Sequence, residues 1–114
     1  MIFNLHMQFI GRRMTLKIRE KIMFQRTEFQ KLDRMYFEVK ETSVCNIVLK
    51  SKSCGHVWAI QSRELFPGKR SLVVLHKHKE ADPYHEQALM HPKTVAEAQD
   101  LIKAHDAWHI NGRH

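Results

Sequence analysis

Cysteine, glycine and proline are all scarce in this 114-residue chain, at two, four and three residues. Two cysteines, Cys45 and Cys54, cannot build the disulfide framework of a small secreted scaffold. The expectation is two reduced thiols in a cytoplasmic protein. So little Gly and Pro excludes collagen-like or low-complexity architecture. The apolar-rich opening at residues 1–10 is too short to span a bilayer. It also lacks a basic start and precedes Arg12-Arg13, the wrong order for a signal peptide. No Cys-x-x-Cys, His-Glu-x-x-His or internal repeat is present. On those grounds neither a metal nor another cofactor is expected.

Acidic side chains are short in number as well, twelve against nineteen Lys and Arg, for a formal charge of +7. Residues 1–79 carry sixteen basic and six acidic side chains, a net of +10. Residues 80–114 carry three and six, a net of −3, and seven of the nine histidines lie at or after position 76. A basic body of this strength favours an anionic partner, either nucleic acid or an acidic protein surface.

What is present reads as one α+β domain. Hydrophobic residues are 43% of the chain, enough for a single core at this length. Residues 1–13 are expected as a loosely held extension and 14–114 as the domain. Residues 15–32 read as a helix with Leu16, Ile18, Ile22, Met23 and Phe29 as its apolar stripe. Met35, Phe37 and Val39 then alternate with Tyr36, Glu38 and Lys40, the period of a half-buried strand. A turn at 41–43 leads to a second strand at 44–49, with Cys45, Ile47 and Leu49 inward. After a loop at 50–55, a third strand runs from His56 to Gln61 and a fourth from Ser71 to His78. Phe66-Pro67-Gly68 closes a longer connection between them, and Tyr84–Gln87 supplies a short fifth strand.

The last element is a helix. Thr94 and Glu97 form a capping box, and Val95, Ala98, Leu101, Ile102, His105 and Trp108 follow at helical spacing before Gly112. Serial hairpins followed by a helix predict a four- to five-stranded antiparallel sheet under a C-terminal helix.

Three constellations suggest chemistry. Tyr36 and Trp58 lie on strands among Lys40, Lys50, Lys52, Arg63, Lys69, Arg70, Lys77 and Lys79. Aromatic side chains on an open sheet face with a cationic rim hold RNA or single-stranded DNA by stacking and phosphate neutralisation. The blander use is Trp58 as core and the lysines as solvated edges. The leading expectation is a small basic nucleic-acid-binding or regulatory protein without catalysis and without a membrane partner. A module or inhibitor that docks on an acidic or nucleic-acid-handling protein is the first alternative.

His76, His78 and His85 with Lys77, Lys79 or Arg70 have the equipment of a metal-independent ribonuclease, the second alternative. His76 and His78 share a strand face, and His105 and His109 are one helical turn apart. Such pairs also match zinc or nickel spacing, with Glu80, Asp82 or Glu86 as oxygen donors. Cys54, beside Lys50 and Lys52 in a basic loop, has surroundings that would favour a thiolate.

Overall fold

A computed structural model describes residues 22–112. Helix α1 (Arg26–Gln30) precedes strands β1 (Phe37–Thr42), β2 (Asn46–Ser51), β3 (Val57–Phe66), β4 (Lys69–Lys77) and β5 (His85–Glu86). Helix α2 (Val95–Ile110) ends the chain of elements. The strands form one sheet in the order β1-β2-β3-β4-β5, each pair antiparallel. The α+β class and the antiparallel sheet expected from the sequence are both present, the sheet at the upper end of the expected four to five strands.

Alternation along the strands decides which side is packed. Ile47, Leu49 and Ser51 of β2, Trp58, Ile60 and Ser62 of β3, and Leu72, Val74 and His76 of β4 are buried and share one face. Helix α2 lies on this face through Val95, Ala98, Gln99, Ile102 and Asp106, a stripe of helical period. Phe24, Leu32 and Phe37 complete the cluster. Each large apolar side chain withdrawn from water here is worth roughly 1.5–3 kcal/mol.

Polar staples fix the helix against the chain preceding β1. Gln99 Oε1 accepts from the Asp33 amide at 2.7 Å, and its Nε2 donates to the Lys31 carbonyl at 2.9 Å. Lys103 Nζ reaches Asp33 Oδ2 at 2.7 Å. The Thr94 hydroxyl caps α2 by accepting from the Glu97 amide at 3.0 Å. Glu97 Oε1 returns to the Lys93 amide at 3.1 Å, one residue before the partner expected of a capping box.

Several boundaries differ from the sequence reading, each for a local reason. The helix expected over 15–32 is interrupted: α1 starts afresh behind Gln25, whose amide is accepted by Glu28 Oε1 at 2.7 Å. Phe24 is in the core and its amide donates to the Val44 carbonyl at 2.7 Å, so the chain is extended there. Residues 15–21 of that helix, and the extension at 1–13, lie outside the described residues.

Met35 was expected to point inward and is 89% exposed, because Asp33 Oδ1 accepts its amide and turns the chain before β1 begins. Strand β1 runs on through Thr42, so the turn falls at Ser43 and leaves Val44 exposed and Cys45 half-buried. The β3–β4 connection is a two-residue turn, with Phe66 opposite Lys69 and Gly68 at φ 74°. A bulge between Glu64 and Phe66 then shifts the register of that hairpin by one residue. On α2, Trp108 is exposed, and the buried stripe includes Gln99 and Asp106 instead. Among the described residues no helix is long and apolar enough to cross a membrane.

Candidate metal centre

At one end of the packed face the core gives way to imidazoles. His56 enters from the turn before β3, His76 and His78 from the end of β4, and His105 and His109 from the last two turns of α2. The register pairs Trp58 with His76, which brings His56 alongside His78. His76 stacks on Trp58 with ring centroids 3.9 Å apart, and His78 stacks on His56 at 4.2 Å. His109 lies 4.4 Å from His56, and His105 lies 4.9 Å from His76. Five rings from three segments close on one point.

Within this group His76 Nε2 is 2.9 Å from His56 Nδ1. Two neutral imidazoles can meet at that distance only with one proton between their lone pairs, a place that a cation also fills. Ligand nitrogens of His56, His76 and His78 all lie within 4.8 Å of one another. Burial and the neighbouring imidazoles push the His76 pKa down to about 3. The same two effects lower that of His56. Both rings are therefore neutral at physiological pH, the form in which imidazole binds metals.

A carboxylate stands behind these rings. Asp106 is 0% exposed, and its Oδ2 accepts from Tyr36 Oη at 2.6 Å and Ser51 Oγ at 2.5 Å. Burial, and then the Asp106 carboxylate, drive the Tyr36 phenol up to about 12. A ligand atom of Asp106 lies within 4.8 Å of those of His56 and Cys54. The thiol of Cys54 is raised by burial and by Asp106, which overturns the basic-loop thiolate expected from Lys50 and Lys52.

The cationic sheet is organised differently from the expectation. Trp58 is 0% exposed beneath α2 and His76, so it offers no surface to a base, and the open face argued for it is the covered one. Tyr36 is half-buried on Asp106. Lys40 and Lys50 reach Glu80 at 3.7 and 3.8 Å, and Lys77 Nζ donates to the Glu80 carbonyl while lying 4.4 Å over the Tyr84 ring. Arg63 bonds Gln61 and faces Glu86 at 3.9 Å, and Arg70 forks onto Glu28. Lys52, Lys69 and Lys79 are exposed and in no ion pair among the described residues.

His85 sits opposite His76 in the β4–β5 ladder and is exposed, on the rim of a cleft of about 340 Å³ shared with His78 and Asp82. His56 and Asp106 are the two members of the centre that sequence reasoning left out of it. Comparison with family models, with characterised proteins and with solved structures finds no match.

Proposed function

We propose that the protein binds a divalent transition-metal cation, of the zinc, cobalt or nickel class, through His56, His76 and His78. The observation that carries this reading is the approach of three ligand nitrogens to within 4.8 Å of one another, two of them on buried rings. A tetrahedral site with metal–nitrogen bonds of about 2.0–2.1 Å needs only small side-chain rotations from that arrangement. Imidazole donors suit late first-row cations and do not suit magnesium or calcium, which demand oxygen. Asp106, a fully buried carboxylate, has a ligand oxygen within 4.8 Å of a His56 ligand nitrogen. The cleft beside His76, His78 and His85 leaves that side of the site accessible to a small ligand.

Isothermal titration of the apo protein with zinc tests the reading. One cation per chain is expected, lost in His76→Ala and unaffected by His91→Ala, which alters a histidine on the loop before α2. No saturable zinc uptake by the wild type overturns it.

Binding of RNA, single-stranded DNA or an acidic protein is the second reading, supported by the +7 charge and by Lys52, Lys69 and Lys79 standing exposed and outside the ion pairs. Lys52 follows β2 and Lys79 follows β4, at the end of the sheet that carries the imidazoles. A mobility shift at low salt that weakens steeply as salt rises supports nucleic acid. A pull-down that survives nuclease supports an acidic protein. Neither result leaves this second reading without support. RNA cleavage in EDTA that disappears in His85→Ala is the signature of the metal-independent ribonuclease, and intact RNA excludes that activity.

A further inference from the structure

We infer that Cys54, His56 and Asp106 form a mixed donor set that shares His56 with the imidazole site, so that a thiophilic borderline metal is taken through sulfur, oxygen and nitrogen. This rests on the metal reading of His56, which both ligand sets share.

Three independent observations meet here. Ligand atoms of Cys54, His56 and Asp106 lie within 4.8 Å of one another. Asp106 is completely buried; Oδ2 takes two hydroxyl donors, Oδ1 has no partner in hydrogen-bond geometry, and the Cys54 thiol also interacts with the carboxylate. A carboxylate oxygen withdrawn from water without a donor is costly to bury unless a cation faces it. The chain is also shaped for convergence. Gly55 between the two donors has φ 78°, and its amide donates to the Ser51 carbonyl at 2.7 Å. A Cβ at Gly55 would meet nothing within 4 Å, so glycine is required there by conformation and not by space.

Charge balance favours the mixed set over imidazoles alone. Three neutral imidazoles leave a divalent cation uncompensated in a partly buried site. One thiolate and one carboxylate neutralise it. On binding, the metal–sulfur bond forms as the Cys54 thiol proton leaves to solvent, Asp106 binds as the carboxylate anion with any proton it carries leaving the same way, and nothing is oxidised or reduced. Thiolate in the donor set selects zinc or cobalt over manganese and magnesium.

Cobalt(II) loading of the full chain tests this separately from the imidazole site. Visible d–d bands report a bound cation, and a near-ultraviolet sulfur-to-cobalt band reports Cys54. The expected result is both bands in the wild type and in Cys45→Ser. Cys54→Ser loses the near-ultraviolet band, and its affinity falls at least about tenfold, the floor for supporting groups around a metal. Zinc should also protect Cys54, but not Cys45, from alkylation in the unmutated protein, which removes any question of how Cys54→Ser folds. Visible bands without the near-ultraviolet band, or equal alkylation of Cys54 with and without zinc, overturn this inference and leave the imidazole site standing. No cobalt bands at all overturn both.

Discussion

The two faces of the sheet are made by the same five strands and treat charge in opposite ways. On the face under α2, β4 carries Leu72, Val74 and His76 into the core, and burial lowers the pKa of His76 and of His56 beside it. On the other face, beside the buried Val57, Ala59 and Val73, Lys50 and Lys77 reach Glu80 and Glu38 reaches Lys40. A neutral ring offers a lone pair to a cation. A solvated lysine beside a glutamate offers little beyond the pair itself. The ion pairs of Lys40, Lys50 and Lys77 and the buried imidazoles of His56 and His76 thus occupy opposite faces of one sheet.

Substitutions that exchange those roles should break the contrast, and the largest effect belongs to His76. His76→Ala should weaken zinc binding by about 100-fold or more, the upper range seen for removing even supporting groups, with Lys50→Ala unchanged. Titration calorimetry on both variants decides it.

Asp106→Ala comes next. It leaves the Tyr36 and Ser51 hydroxyls without their acceptor, and should cost about 2–3 kcal/mol in denaturant unfolding of the apo protein. Equal midpoints for variant and wild type would mean that the carboxylate does not organise the centre.

A smaller effect tests the far end of the packed face, where Arg70 shares the parity of His76 and a charge is paired instead of avoided. Burial pushes the Glu28 carboxyl up, but the Arg70 guanidinium and the Gln25 amide outweigh it and hold the pKa below the usual 4.5. A depressed carboxylate stabilises the fold above its unfolded pKa, and that stability is lost as pH falls through the folded value. The pair is partly buried and forked, which places it near the upper end of the range for such pairs, about 1 kcal/mol. Melting temperature should therefore fall below about pH 4.5 more steeply in the wild type than in Glu28→Gln.

The smallest effect is Glu80→Gln on the solvated face, less than about 0.5 kcal/mol in chemical denaturation, because its lysine contacts are long and exposed. A larger loss would show that the two faces are less different than their burial implies.

The sheet and the final helix were legible because alternation and capping are local. Phe37, Ile47, Leu49, Trp58, Ile60 and Val74 announce their strands without reference to anything distant. The convergence of the histidines was not legible, and the reason is one residue. Counting back from Phe66 opposite Lys69 sets Ala59 against His76; the bulge after Glu64 moves Trp58 there and brings His56 beside His78. A one-residue slip exchanges the faces of every side chain, so the site depends on a bulge that the sequence does not mark.

Asp106 did leave a sign, four residues after Ile102 on the inward stripe of α2. A carboxylate in a core position calls for a partner, whereas the expected stripe through Leu101 and Trp108 passed it by. The aromatic platform failed on the same ground. Trp58 has the parity of the core, and parity alone did not say which face α2 would cover.

X-ray absorption at the zinc edge of the loaded, dialysed protein reads the metal's neighbours without mutation. Retained zinc is expected, with imidazole nitrogen at about 2.0–2.1 Å in its first shell and the multiple scattering of at least two rings. Zinc lost on dialysis, or a first shell of oxygen without imidazole scattering, would contradict the imidazole site.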